Sequence, residues 1–266
     1  IAAQRDELNT AGHLFLDLAK RTLNVTLAER ATRLASDARN GRLALDSAKV
    51  WNILAPQSIN AQQILAELFI ASGNLSSARP IIKKILDQDK VRSEGFLYLN
   101  NILTKVINKQ NALRFIKEIA EPYPNSKEAH FAIAHAAYFA DKKDLAIKEL
   151  DTIERLDPKW ESAILFRGYI IGKEWPEKAI AYYQEYLTRH PNSNEIRLEY
   201  AKILTSLKQY NAAKKEFLTI VNSSIASSKL SLTVALLAME LEDNVLAEKY
   251  LIQSLKRGHP QPDQIY

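Results

Sequence analysis

Histidine is the residue in this 266-residue chain best suited to acid–base or metal chemistry, and it occurs five times, at His13, His130, His135, His190 and His259. Two metal ligands share a helix face when they stand four apart, as in His-Glu-x-x-His. His130 and His135 stand five apart, and no such motif occurs. Cysteine is absent, which excludes disulfides and thiolate metal sites and leaves the redox compartment unmarked. There is no glycine-rich phosphate loop and no Gly-x-Ser-x-Gly elbow. Acid pairs such as Asp6-Glu7 and Glu240/Glu242 are read as solvated helix faces. Asn24-Val-Thr26 matches a glycosylation sequon, a three-letter pattern of low specificity. No catalytic constellation emerges, and no catalytic, cofactor-binding or metal-binding residue is assigned. The chain is read as a non-enzyme that needs no cofactor.

The elements that would position any functional residue are legible in a ladder of alanines. Ala44, Ala78, Ala112, Ala146, Ala179, Ala213 and Ala247 follow one another at steps of 34, 34, 34, 33, 34 and 34 residues. Pro56, Pro124, Pro158 and Pro191 each come twelve residues after one of them, and Pro260 comes one residue late. A repeated unit of about 34 residues is the signature of a helix–turn–helix array. In the unit 127–160, Ile133, Ala134 and Ala137 share one face of a first helix, and Ala146, Leu150 and Ile153 share one face of a second. Small residues at 134 and 146 let the two helices approach closely. Proline ends the second helix, because it lacks an N–H and its ring clashes with the preceding turn. Gly73 is placed in a turn that wants a left-handed residue. The single 33-residue step is placed in the turn near Gly172-Lys-Glu-Trp175-Pro176, which gives Gly168 the small first-helix position. The proline is missing at Lys90 and near Ile225, and Ser223–Ser228 is read as a looser connection. Ala11, Phe15 and Leu18 read as the second helix of an earlier unit, and Pro260–Asp263 as the opening of a further one. On that reading the chain is a segment of a longer array.

Composition agrees with a packed protein: 47% hydrophobic and 25% charged residues, with a net charge of +5. Arg79, Lys83 and Lys84 lie among helix-face positions and not in a dense block with aromatics, so the basic stripe that nucleic acid requires is missing. No apolar run reaches the roughly 18–20 residues that span a bilayer.

These residues resemble the tetratricopeptide repeat (TPR) family over nearly the whole chain. The family's paired small positions fall on Ala66/Ala78, Ala134/Ala146 and Ala201/Ala213, and its helix-ending proline on Pro124, Pro158 and Pro191. The resemblance implies an all-α fold, an α-α superhelix (TPR solenoid) of about seven to eight helix–turn–helix repeats. It is divided as a partial unit 1–24, repeats 25–58, 59–92, 93–126, 127–160, 161–193, 194–227 and 228–260, and the start of another at 261–266. It further implies a concave groove lined by first helices. By register that lining comprises Gln63, Glu67 and Ile70; Leu97, Asn101, Thr104 and Lys105; Phe131, His135, Tyr138 and Phe139; Leu165 and Tyr169; Leu198, Lys202 and Thr205; and Leu232 and Leu236. Glu67, Asn101, Lys105, Phe131, His135, Tyr138, Phe139, Tyr169 and Lys202 are the candidate binding residues, the aromatics foremost because such residues are enriched at binding hot spots. The lining suits an extended peptide or a partner's helix. The Lys/Asn/Arg clamp with which some members grip chaperone tails is represented only by Asn101 and Lys202.

The stretch from Ala2 to Pro56 has a narrower resemblance. Ala2-Ala-Gln-Arg5, Ala28-Glu-Arg-Ala-Thr-Arg-Leu-Ala35, Ala48-Lys-Val-Trp51 and Ala55-Pro56 are similar to TPR lipoproteins of Gram-negative outer membranes. That resemblance implies a periplasmic adaptor whose partners are other proteins, a carboxyl-terminal processing protease and cell-wall hydrolases. It implies no nucleic acid, and a membrane only through a lipid anchor missing from this chain. The alternatives carried forward are a structural scaffold in an envelope secretion, polysaccharide-export or pilus-assembly machine, and a cytoplasmic location.

Overall fold

The computed structural model describes residues 2–88, 91–222 and 228–256. Among them there are fifteen α-helices and no strand. Residues 1–157 and 158–266 form two compact units. Unit 1 holds α1 (Ala2–Thr22), α2 (Val25–Asp37), α3 (Gly41–Leu54), α4 (Ile59–Ala71), α5 (Leu75–Leu86), α6 (Arg92–Leu103), α7 (Lys109–Ala120), α8 (Lys127–Phe139) and α9 (Lys143–Leu156). Unit 2 holds α10 (Glu161–Gly172), α11 (Pro176–Arg189), α12 (Asn194–Ser206), α13 (Tyr210–Val221), α14 (Ser228–Glu240) and α15 (Asn244–Lys256). Each unit is a stack of helical hairpins, the α-α solenoid class expected from the period. α1 packs mainly on α2 and also touches α3.

The alanine ladder is the seam of these hairpins. Ala66, Ala78, Ala134, Ala146, Ala201 and Ala213 are fully buried, and the aliphatic residues one and two turns on fill the space beside them. In α10 the small position is Gly168, as expected. A Cβ added there would lie 2.1 Å from Cζ of Tyr183, so the tyrosine ring occupies the volume that alanine fills elsewhere.

Five hairpin turns close alike. Arg39, Gly73, Asp141, Lys208 and Glu242 each adopt a left-handed conformation. The amide after each reaches back five residues, as from Asn74 to Phe69 and from Lys142 to Ala137, the Schellman closure that satisfies the last helical carbonyls. The 33-residue step falls in the α10–α11 turn, as expected, and there its content is visible. Lys173, Glu174 and Trp175 include no left-handed residue, and the Trp175 amide instead bonds Ile171 in helical fashion.

Two details differ from expectation. α7 ends at Ala120, two residues shorter than α9, because Pro122 follows its cap; Pro124 lies in the connection and does not itself end the helix. α6 ends at Leu103 and a five-residue turn follows, so Thr104 is a cap and Lys105 a turn residue, not members of the first helix. The readings at Lys90, near Ile225, at 223–227 and from 257 onward lie outside the described residues.

Candidate functional site

In unit 1, α6 packs on α4 and on α8, which brings first helices of consecutive repeats side by side. Their common face carries two groups of side chains. The first is polar. Glu67 on α4 accepts a hydrogen bond from the Tyr98 hydroxyl on α6 (2.8 Å) and faces the Lys105 ammonium at 3.6 Å. Burial, and next the hydrogen bond to Glu67, push the Tyr98 hydroxyl well above the ordinary phenol range, so it stays a neutral donor. Tyr98 was not among the groove positions, yet it orients Glu67. Its signal in the sequence was its place 31 residues after Glu67, one repeat on and nearly one helical turn back. Asn101 is exposed one turn further along α6.

The second group is aromatic and belongs to α8. His135 lies between Phe131, with ring centroids 4.6 Å apart, and Phe139 at 6.2 Å, and Phe139 meets Tyr138 edge to face at 5.5 Å. Positions 131, 135 and 139 stack because residues four apart share a helix face. Burial lowers the His135 pKa to about 4, so at neutral pH its ring acts as an uncharged member of the cluster. Phe139 is 44% exposed. Phe131 is a correction to the expected lining: it is buried at 8% exposure, and its ring supports His135 from below instead of meeting a partner. Ile70 is likewise core. The space beside His135 and Phe139 is only about 10 Å³, room for about one water. The cluster therefore presents a surface, not a cavity for a small molecule. A larger crevice of about 410 Å³ opens between α2 and α4 over Trp51 and Ile64, edged by Arg33 and Asn60.

In unit 2, Tyr169 on α10 is 45% exposed, stacks on Phe166 and is covered by the Lys173 ammonium 5.0 Å from its ring centre. Leu165 and Leu198 are partly buried against the core of this unit. Lys202 is exposed and pairs with Glu199 one turn before it on α12 (2.5 Å). A lysine already held by a neighbouring carboxylate, on an exposed helix face, is a weak anchor.

The connections between repeats hold a third arrangement that the groove reading did not anticipate. Pro56, Pro124 and Pro191 are each followed two residues on by a serine that precedes the next helix. Ser58 and Ser126 cap α4 and α8 by accepting from the amides of Ala61 and Ala129. Six residues after each proline stands a polar side chain that donates to the proline carbonyl: Gln62 Nε2 at 2.6 Å, His130 Nε2 at 2.9 Å and Arg197 Nη2 at 2.6 Å. His130 also binds Glu149 on α9 (2.5 Å), and Arg197 binds Glu216 on α13. The pattern Pro-x-Ser-x-x-x-Gln/His/Arg was legible in the sequence. Pro158 lacks it, since Trp160 and Ile164 hold those places, and there the Tyr186 hydroxyl of α11 donates to the Lys159 carbonyl (3.4 Å).

Among the described residues, no group of three or more His, Asp or Glu could hold a metal ion. No helix among them is long and apolar enough to cross a membrane.

No protein-family model matches the chain. A curated relative, the TPR repeat-containing protein PA4667 of Pseudomonas aeruginosa, is 23% identical over 201 residues. The match covers 76% of this chain, and the chain spans about a third (34%) of that relative's length. Among solved structures, the chain is similar to a tetratricopeptide repeat protein from Parabacteroides merdae (TM-score 0.49, 12% identity, 91% of this chain and 96% of that one). It is also similar to YrrB, described as a TPR protein with an unusual peptide-binding site (TM-score 0.44, 16% identity, 69% and 96%). The 34-residue period, the helical hairpins and the Pseudomonas relative together support a TPR family for this chain.

Proposed function

We propose that this chain is a non-enzymatic protein-binding scaffold that grips its partner on the first-helix face of unit 1, and that it serves in the cell envelope as an adaptor for a protease or its substrates. Proteins built from such repeats act generally in protein–protein interaction. One observation carries the placement of the site: consecutive first helices, packed side by side, carry the neutral aromatic cluster of α8 and the Glu67–Tyr98–Lys105 network, an apolar anchor and polar groups. That is the composition of an interface core with a polar rim. The adaptor reading, with a carboxyl-terminal processing protease and cell-wall hydrolases as partners at the periplasmic side of the outer membrane, is supported by the sequence of residues 2–56. The competing scaffold reading draws on exposed apolar residues away from this face, such as Leu14 and Ile53.

The test is direct binding of the purified chain to a purified carboxyl-terminal processing protease, with Tyr138→Ala/Phe139→Ala and Tyr169→Ala beside it. Loss of a hot-spot aromatic pair should weaken binding by roughly tenfold or more. Unchanged affinity in both variants would remove the groove from the reading. No binding by the unaltered chain would remove the protease.

A further inference from the structure

His130 sits between two groups that can only accept. Nδ1 faces the Glu149 carboxylate at 2.5 Å, and Nε2 faces the Pro124 carbonyl at 2.9 Å. A neutral imidazole has one N–H and can serve only one of them; the imidazolium has two and serves both. His130 and Glu149 are 17% and 15% exposed, so water replaces neither bond fully. Unit 2 repeats the geometry with a group that never discharges: Arg197 donates to Glu216 and to the Pro191 carbonyl. The first connection repeats half of it with a group that never charges, Gln62, which donates to the Pro56 carbonyl beside a second donor, the Lys84 ammonium of α5 at 2.8 Å. At the position six residues after the proline, three connections thus carry a permanent cation, a permanent neutral and a titratable side chain.

We infer that His130 is a proton-operated latch: as the imidazolium it ties the 121–126 connection and α9 together through α8, and loss of its proton releases one of the two ties. The charged groups acting on it are Glu149, which favours the cation, and Arg155 on the same helix, which opposes it. The neighbouring Lys127–Asp157 pair holds the same end of α8. The hydrogen bond to Glu149 outweighs burial and raises the His130 pKa above 6.5. A group whose folded pKa is raised contributes stability that is complete below the unfolded value, about 6.5, and is lost as pH rises through the folded value. The latch is therefore closed in mildly acidic solution and opens on the alkaline side. This inference does not depend on the binding reading.

The molecule supplies its own controls: His130→Arg copies unit 2, and His130→Gln copies the first connection. Hydrogen exchange of residues 121–136 is measured in the full chain from pH 6 to 9 and expressed as a ratio to His130→Arg at each pH, which cancels the chemical pH dependence of exchange. The ratio should be level near pH 6 and rise with pH, by roughly tenfold for each unit by which the His130 pKa exceeds 6.5. NMR of the imidazole, assigned by its loss in His130→Gln, should show titration above 6.5. If His130→Arg does not fold, His130→Gln takes its place as the non-titrating reference. A ratio that stays flat to pH 9, or a ring that titrates at or below 6.5, overturns the latch.

Discussion

In unit 1, α8 and α9 close over Ala134 and Ala146; in unit 2, α10 and α11 close over Gly168 and Tyr183. The connections that precede these hairpins differ as sharply. One is bound by a titratable histidine inside the repeat, the other by a tyrosine hydroxyl reaching back from the second helix. The comparison shows what a repeat conserves. The helix spacing and the need to satisfy the connection's carbonyl recur, while the side chains that meet these demands are exchanged between helices, between charge types and between donors. A period describes the backbone problem; each copy solves it anew.

Several substitutions break or sharpen that comparison. The largest effect is expected where a permanent charge is abandoned. Glu216→Ala leaves Arg197 with a mostly buried and unbalanced guanidinium and should cost about 3 kcal/mol. Glu149→Ala should cost nearer about 1 kcal/mol at neutral pH, because His130 can give up its proton. Urea unfolding of both variants checks the difference, and equal losses would show that the two pairs are energetically alike. Next is the seam. Gly168→Ala forces a methyl into the Tyr183 ring and should cost about 1–3 kcal/mol, whereas Ala134→Gly should cost about 1–2 kcal/mol through helix propensity and the loss of one buried methyl. Adding Tyr183→Leu to Gly168→Ala should recover part of that loss and so give a non-additive cycle. A Gly168→Ala protein that melts with the parent would refute the assigned packing.

The two histidines of α8 then divide the pH axis. The His135 pKa is lowered to about 4, so its contribution is present above about 6.5 and is lost as pH falls towards 4, opposite in sign to His130. His135→Phe should flatten the acid limb of the stability curve and leave the alkaline limb in place. The smallest effect belongs to the turns. Lys208→Gly and Glu242→Gly should each gain about 0.5 kcal/mol by relieving a left-handed L-residue. Glu174→Gly, in the turn without a left-handed residue, should not gain. Melting curves of the three variants check it.

The helices and their seam were legible because a 34-residue period repeats both the small residues and the prolines, and Gly168 could be placed by counting. The tether at Pro124 is legible only as a pattern across repeats, because a proline by itself reads as a helix stop and says nothing of its carbonyl; the side chain six residues later reveals that use. Lys105 was put on a helix because register continues through positions where the backbone does not: α6 ends early and a longer turn takes over. Phe131 looked like a contact because residue type does not show that its own helix folds His135 over it. Exposure depends on neighbours a turn away, which no single position encodes.

Tyr183 against Gly168 also bears on how such an array can be recombined. Hairpins of one length invite shuffling, grafting and duplication. α10 and α11 travel only as a pair, for neither accepts a counterpart from another copy: an alanine-bearing first helix would meet the tyrosine ring, and an aliphatic second helix would leave a void above the glycine. Junctions for chimaeras therefore belong outside residues 161–189. Inside them the inheritable module is the hairpin, not the helix.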